Sequence, residues 1–162
     1  MGISTSYGLA FAKAQLAASQ RLPRKGTVFL SVNDRDKKHL ISIGKELSSL
    51  GFQLTATRGT TAALRAAGVE AEAVFKVNEG RPHVGDEILN QHIQLVINTP
   101  LGRESFFDDR IVRRIATMQS VPCITTLTGA SATVSAIRAL QTEGLSVRAL
   151  QEYHAQIATD PA

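Results

Sequence analysis

The sequence is poor in cysteine and aromatic residues, and it has no long apolar run. Cys123 is the only cysteine among 162 residues, which excludes an internal disulfide and a zinc site built from cysteines. No segment approaches the roughly 20 consecutive apolar residues of a membrane span. The amino terminus lacks the basic run and apolar stretch of an export signal. These absences predict a soluble, cytoplasmic protein with no membrane partner.

The charge pattern argues against a nucleic-acid partner. The net charge is +4, and the chain has no tryptophan and only 5% aromatic residues. Proteins that bind nucleic acid present a basic face with interleaved aromatic side chains, whereas the cations here are scattered in short groups typical of solvated surfaces. A small anionic ligand accounts for the more specifically placed cations better than a polymer does.

Strand-like segments alternate with helical segments five times along the chain. The predicted strands are 27–32, 52–56, 69–74, 93–97 and 121–125, and the predicted helices that follow them are 36–50, 60–67, 84–91, 108–119 and 130–142. This alternation is typical of an α/β fold whose parallel sheet has right-handed crossovers. A further helix, over 9–18, precedes the first strand and has no strand of its own. The length fits one domain with a substantial core.

Five loops are predicted to meet at the carboxyl edge of this sheet, where parallel sheets bind their ligands. Loops 1 to 5 span 33–37, 57–61, 75–83, 98–103 and 125–129. They are rich in hydroxyls, glycines and cations and poor in carboxylates. In loop 3, Lys76 and Arg81 precede a helix start, where unpaired N–H groups attract anions. The loops predict a site for a phosphate-bearing ligand; the alternative for Thr57, Thr60 and Thr128 is helix capping alone.

Several short motifs together resemble one family. They are 56–60 (ATRGT), 76–83 (KVNEGRPH), 97–99 (INT), 125–127 (TTL) and 151–156 (QEYHAQ). Along essentially its whole length the chain is similar to the carboxyl-terminal allosteric domain of the carbamoyl-phosphate synthetase large subunit. The resemblance implies a flavodoxin-like, methylglyoxal synthase-like three-layer sandwich with a five-stranded parallel sheet of order 3-2-1-4-5.

The resemblance also implies a division of the chain. Residues 1–22 are expected to be the terminal segment of the preceding carbamoyl-phosphate-forming domain plus a linker, and residues 23–162 the methylglyoxal synthase-like allosteric domain. The chain would then be a piece of a much longer polypeptide. We therefore expect Leu9, Phe11 and Leu16 of the first helix to lack their usual partner surface.

In the family this domain binds nucleotide effectors, UMP as an inhibitor and, in many bacteria, IMP as an activator. The resemblance implies that Lys76 and Thr57 hold the phosphate and that Asn98 lies near the ribose or base. The full set of implied effector-binding residues is Lys37, Thr57, Thr60, Lys76, Asn98 and Thr99. All of them fall in loops 1 to 4, which periodicity had already placed at one sheet edge.

Two positions depart from the family pattern. Pro100 replaces a threonine, which removes a hydroxyl and an N–H from loop 4 and bears on IMP binding. Cys123 replaces an aromatic residue that the family associates with activation by ornithine, for which Thr125 is the implied ligand. The alternative for Cys123 is a buried strand residue without a role in binding.

The resemblance further implies that the full-length enzyme is a glutamine-hydrolysing, ATP-dependent ligase. It makes carbamoyl phosphate from glutamine or ammonia and bicarbonate, for arginine and pyrimidine biosynthesis. Its ATP, Mg or Mn, and K ions would be bound outside this domain, for which we expect no cofactor, no metal and no catalytic residue. The remainder of the large subunit and a small glutaminase subunit are the expected partners.

Two other functions remain open from the sequence. A methylglyoxal synthase-type phosphate lyase would need a carboxylate base and a histidine, for which Glu79, Asp86 and His83 are available. Loop 3 lacks the Gly-Pro-x-Gly-Gly-Asp-Gln-Gln run that carries the catalytic aspartate of that enzyme, so we expect Glu79 and Asp86 to cap the helix or to pair with Arg81. The third possibility is a domain that only self-associates.

Overall fold

A computed structural model describes residues 1–99 and 106–159 of the chain, with side chains for residues 1–99 and 108–155. The five strands are β1 (Thr27–Ser31), β2 (Gln53–Ala56), β3 (Glu72–Ala73), β4 (Leu95–Asn98) and β5 (Cys123–Ile124). The seven helices of the described part are α1 (Tyr7–Ala17), α2 (Lys37–Ser49), α3 (Arg58–Ala66), α4 (Val84–Leu89), α5 (Phe106–Met118), α6 (Leu127–Thr142) and α7 (Leu150–Thr159).

The strands form one parallel sheet in the order β3-β2-β1-β4-β5, which confirms the predicted fold class and strand order. The central strand β1 pairs with both β2 and β4, so that Val28 lies opposite Leu54 on one side and Leu95 on the other. All four residues of β4 are buried, as expected for a parallel strand covered on both faces.

Helices cover both faces of the sheet and bury two separate apolar clusters. On one face, Leu30 and Ile97 pack with side chains of α2, α3 and α6. On the other face, Phe29 and Val96 pack with side chains of α4 and α5, among them Ile88. Because neighbouring residues of a strand point to opposite faces, consecutive residues of β1 and β4 supply both clusters.

The edge strands are shorter than the apolar runs predicted. The run 69–74 forms a strand only at Glu72–Ala73, and the run 121–125 only at Cys123–Ile124. Val69 is buried but its N–H donates to the carbonyl of Leu64 at the end of α3. The apolar residue Val69 is therefore buried, as expected, but its N–H bonds to the end of α3 and not to β2.

The amino-terminal helix packs on the domain. α1 lies against α6, where Leu9 is only 7% exposed and Ala12 contacts the same cluster as Ala136. The backbones come close, since a Cβ added to Gly8 would lie 2.5 Å from the carbonyl oxygen of Ser135. The expectation that these residues lack a partner surface is wrong for Leu9 and Phe11, because α6 supplies one, whereas Leu16 is 43% exposed. The division of the chain at residue 22 stays a prediction.

The carboxyl-terminal helix is tied to the amino-terminal segment. The hydroxyl of Tyr153 in α7 donates to the carbonyl of Ile3 at 3.1 Å, and Lys13 Nζ donates to the same hydroxyl at 3.1 Å. None of the helices in residues 1–99 and 106–159 is both long and apolar enough to cross a membrane. Within the same residues, no group of three or more acidic, histidine or cysteine side chains could hold a metal ion.

Candidate anion site at the carboxyl edge of the sheet

The junction between β2 and α3 leaves a helix start without a side-chain cap. Thr57 is the N-cap residue of α3, yet its side chain makes no capping hydrogen bond. Its hydroxyl instead donates to Oγ1 of Thr60 at 3.1 Å, and both threonines are buried. The first N–H groups of α3 therefore remain available to a ligand, and the helix dipole makes this end attractive to an anion. The alternative that Thr57 serves only as a cap does not hold.

Lys37 lies beside this helix start. It is the first residue of α2, and a Cβ added to Gly59 in the first turn of α3 would lie 3.1 Å from its Nζ. The absence of a side chain at Gly59 thus leaves room for the ammonium group. Lys37 Nζ also contacts Oδ1 of Asp34 at 2.6 Å. This hydrogen bond and the charge of Lys37 lower the pKa of Asp34 below its ordinary value.

Asn98 is the last residue of β4 and is fully buried. It pairs in register with Ser31 at the end of β1. Neither its amide nitrogen nor its amide oxygen has a hydrogen-bond partner among the residues described. A buried polar group left without a partner costs about 1–3 kcal/mol. Two such atoms on one side chain are therefore open to pairing with a bound water or a small polar ligand.

Asn98 borders a narrow cleft between loops 2, 3 and 4. Thr57 and Lys76 form two further sides of it, so the cleft unites three of the predicted effector residues. The residues that line it are Phe29, Ser31, Thr57, Lys76, Val77, Val84, Asn98, Asp108, Asp109 and Val112. Its lining combines apolar side chains with hydroxyl, amide, ammonium and carboxylate groups, and its free volume of about 10 Å³ is enough for about one water molecule.

Asp108 lines this cleft and was missed by the sequence reasoning. Partial burial raises the pKa of its carboxyl group, and the charge of Lys76 opposes that rise. A carboxylate in the first turn of a helix is common as a dipole partner, so sequence alone gave no reason to select it. The one available signal was its position in the helix that follows β4, at the same sheet edge as loops 2 and 3.

The acidic and imidazole groups around loop 3 hold the loop in shape. Glu79 accepts a hydrogen bond from the N–H of Lys76 at 3.0 Å. His83 and Asp86 cap α4 reciprocally: Asp86 N–H donates to the ring of His83, and His83 N–H donates to the carboxylate of Asp86. Nη1 of Arg81 lies 3.5 Å from Oδ1 of Asp86. The prediction that Asp86 caps the helix or pairs with Arg81 is confirmed, whereas Glu79 instead binds a backbone N–H within loop 3.

The remaining predicted residues lie around the cleft or apart from it. Thr99 is buried, and its hydroxyl accepts from the N–H of Asn33 at 3.4 Å, which links loop 4 to loop 1. Thr125 is not among the cleft-lining residues. Thr126, rather than the predicted Thr128, caps α6 by accepting from Gly129 N–H at 3.0 Å. The part of loop 4 from 100 to 103, including the departure at Pro100, lies outside the described residues.

Cys123 lies on the edge strand β5 and packs against the cluster formed by α4 and α5. Burial raises the pKa of its thiol to about 11. The thiol is therefore protonated near neutral pH and is a poor nucleophile. The interpretation of Cys123 as a strand residue that packs in the core agrees with this environment.

Comparison with known proteins gives a consistent family and fold. The model of the family described as MGS-like domain matches residues 39–125. The carbamoyl phosphate synthase large chain of Acidobacterium capsulatum is 50% identical over 155 residues, which is 96% of this chain and 14% of the relative. The large chain of Nostoc sp. is also 50% identical, over 94% of this chain and 14% of its own length. The chain thus spans about one seventh of the curated relatives that it matches.

Among solved structures, a methylglyoxal synthase from Elizabethkingia anophelis superposes with a TM-score of 0.58. The superposition covers 70% of this chain and 80% of the synthase, and the two sequences are 22% identical. At that identity the likeness supports the fold alone.

Proposed function

Because the chain belongs to the MGS-like domain family, we propose that it is the regulatory domain of a carbamoyl phosphate synthase large chain. In this proposal it binds nucleoside monophosphates, with UMP as an inhibitor and IMP as a second effector. The similarity to large chains over nearly the whole of this sequence supports the assignment, and the cleft at the carboxyl edge of the sheet supports the ligand class.

One observation carries the proposal. The amide of Asn98 is fully buried, and neither its nitrogen nor its oxygen has a partner among the residues described, although it borders the same cleft as Thr57 and Lys76. An amide that both donates and accepts suits a ribose hydroxyl or a nucleobase edge. Ammonium groups and free helix N–H groups suit a phosphate. Lys76 and the N-cap residue Thr57 border the same cleft as Asn98, while Lys37 lies beside Gly59 at the start of α3.

The charges of the cleft favour one orientation of the ligand. We place the phosphate at the start of α3, beside Lys37 and near the cleft that Lys76 lines, where the hydroxyl of Thr60, which accepts from Thr57, adds a donor. Asp108 disfavours a phosphate at its own position by charge repulsion, and its carboxylate accepts from hydroxyl groups. The sugar therefore lies toward Asn98 and Asp108.

Regulation requires that the ligand bind two states of the enzyme with different affinity. We propose that the nucleotide phosphate neutralises Lys76 and Lys37 and fixes loops 2 to 4, which changes how this domain docks on the remainder of the large chain. The ATP-dependent synthesis, with its Mg or Mn and K ions and the small glutaminase subunit, takes place outside this domain. Ornithine binding near Thr125 and self-association stay predictions.

Isothermal titration calorimetry of the chain with UMP, IMP and ornithine tests the proposal. We expect UMP to bind with a stoichiometry near one per chain, and Asn98→Ala to weaken it by about ten-fold or more, since two hydrogen bonds of the ligand are lost. Absence of heat with both nucleotides, in a sample that self-associates, would instead support a domain that serves only as an interface.

A second function has one observation in its favour. Asp108 is a carboxylate with a raised pKa beside Lys76, which is the arrangement that a base for phosphate elimination from a triose phosphate needs. The nearest histidine of loop 3, His83, is engaged with Asp86 in the α4 cap. Release of methylglyoxal from dihydroxyacetone phosphate, lost in Asp108→Asn, would establish the lyase function in place of the regulatory one.

A further inference from the structure

Loop 1 places a carboxylate on one of the cations of the candidate site. Asp34 Oδ1 lies 2.6 Å from Lys37 Nζ, and the Asp34 side chain is 93% exposed while that of Lys37 is only 25% exposed. The ammonium thus contacts an exposed carboxylate and also lies beside Gly59 at the start of α3. Nothing else in the described contacts of Asp34 accounts for its position.

The turn that carries Asp34 is itself well fixed. The amide of Asn33 donates to the carboxylate of Asp36 at 2.7 Å, and the N–H of Asp36 donates to the Asn33 side-chain oxygen at 3.0 Å. The N–H of Asn33 reaches the hydroxyl of Thr99 at the end of β4. Asp34 is therefore presented to Lys37 by a short braced segment that also touches loop 4.

A phosphate bound at the start of α3 would also contact Lys37, whose Nζ lies beside Gly59. One ammonium group then serves two anions, and the two anions repel each other across it. Binding is least costly when Asp34 swings away, which its exposure permits. The carboxylate therefore competes with the ligand for Lys37, and the outcome depends on the strength of an exposed ion pair, which is small.

We propose that Asp34 is an affinity-setting residue of this site: its carboxylate occupies Lys37 in the ligand-free domain and is released when a phosphate binds. This inference rests on the proposed function, since it concerns the same anion site. It adds a role for loop 1 that the cleft itself does not show. Asp34 weakens binding of every anion at the start of α3. Because a bound anion releases Asp34 from Lys37, the turn over residues 33–36 loses this contact when the site is occupied.

The test is a set of titrations with UMP and with inorganic phosphate, at low and at physiological salt. We expect Asp34→Asn to bind both about two- to five-fold more tightly at low salt, as expected for loss of one exposed charge pair. The gain should shrink at higher salt, because screening weakens exposed charges. Glu70→Gln removes the same charge from an exposed position outside loops 1 to 5 and should leave affinity within about two-fold of the parent.

A double-mutant cycle with Lys37→Ala separates the mechanism from a general charge effect. If Asp34 acts through Lys37, Asp34→Asn brings no gain once Lys37 is absent. An equal gain in both backgrounds, or weaker binding by Asp34→Asn alone, would overturn the inference and leave the proposed function intact. If neither the parent nor Asp34→Asn binds UMP or phosphate, the proposed function itself fails and Asp34 has no anion to compete with.

Discussion

Helices α3 and α6 start at the same edge of the sheet, yet their first turns are completed differently. At α6, Thr126 accepts a hydrogen bond from Gly129 N–H, so the helix supplies its own cap. At α3, Thr57 occupies the N-cap position but its hydroxyl bonds to Thr60, and no side-chain cap is formed. At α6 the threonine hydroxyl therefore stabilises the helix. The α3 start keeps its N–H groups available, with Lys37 beside them.

The comparison shows that a hydroxyl in an N-cap position has two distinct uses, which the sequence motif does not separate. Both helices begin after a strand and a threonine. Only the direction of the hydroxyl, and the cations around it, distinguish a cap from a binding site. Substitutions at the two helix starts can therefore distinguish a hydroxyl that caps a helix from one that leaves the helix start open.

The largest expected effect follows from removing the ammonium group of Lys76, which lines the cleft together with Thr57. Lys76→Ala should weaken UMP binding by about ten- to a hundred-fold, because a hydrogen bond between charged groups contributes roughly 1.5–3 kcal/mol. Calorimetry measures the affinity, and circular dichroism should show an unchanged fold. Lys38→Ala is the matched control, since Lys38 is exposed on α2. A loss of equal size in the control would mean that net charge, and not the site, governs binding.

The comparison itself is tested by removing each hydroxyl. Thr126→Ala should lower the free energy of unfolding by about 1 kcal/mol, the usual effect of losing a cap, and leave UMP affinity unchanged. Thr57→Ala should weaken UMP binding by about five-fold or more, since Thr60 loses the hydrogen bond that orients its hydroxyl at the helix start. Denaturant unfolding and calorimetry on both variants give the four values. The distinction between the two helix starts breaks down if Thr57→Ala affects stability alone.

Much of the fold follows from the sequence, and the reasons are local. Apolar runs such as that of β4, buried on both faces, predicted a parallel sheet, and the loops that follow the strands predicted which residues would share one edge. The order of the strands came from the resemblance, and the structure confirms it. Thr57, Lys76 and Asn98 do meet in one cleft.

What the sequence did not reveal depends on contacts between distant segments. Asp108 lies in the cleft because α5 packs across β4 and places its first turn near Lys76. The isolation of the Asn98 amide depends on what surrounds it in three dimensions. Leu9 finds its partner on α6, more than 120 residues later in the chain. Periodicity within a segment contains no information on such pairings.

Gly59→Ala is expected to affect stability and binding in opposite directions. Gly59→Ala should raise the free energy of unfolding by about 0.5–1 kcal/mol, because alanine is the better helix residue. UMP affinity should fall, since the added methyl group lies 3.1 Å from Lys37 Nζ and beside the free N–H groups. Ala62→Gly, on an exposed position of the same helix, should lower stability and leave affinity unchanged. Tighter binding by Gly59→Ala would contradict an anion site at this helix start.

The smallest expected effect concerns Asp108, whose pKa is raised chiefly by burial. Between the ordinary pKa of 3.8 and the raised one, the folded state holds the proton more tightly than the unfolded state, so stability falls as the pH rises through that range. Asp108→Asn should remove this part of the pH dependence in denaturant unfolding measured from about pH 3 to 7. An unchanged slope would show that Asp108 is fully solvated, and the cleft would then be more open at this side than at α3.

The length of helix α6 has a consequence beyond its packing against α1 and α2. Its 16 residues form a rod about 24 Å long. One end carries loop 5, at the sheet edge that also bears the candidate cleft, and further along it packs against Leu9 and Ala12 of α1. A rotation of only about 5° about one end of such a rod displaces the other end by about 2 Å. The α1–α6 contact, at Ala136 to Leu140, lies roughly 13–20 Å along this rod, so the same tilt would displace it by about 1–2 Å.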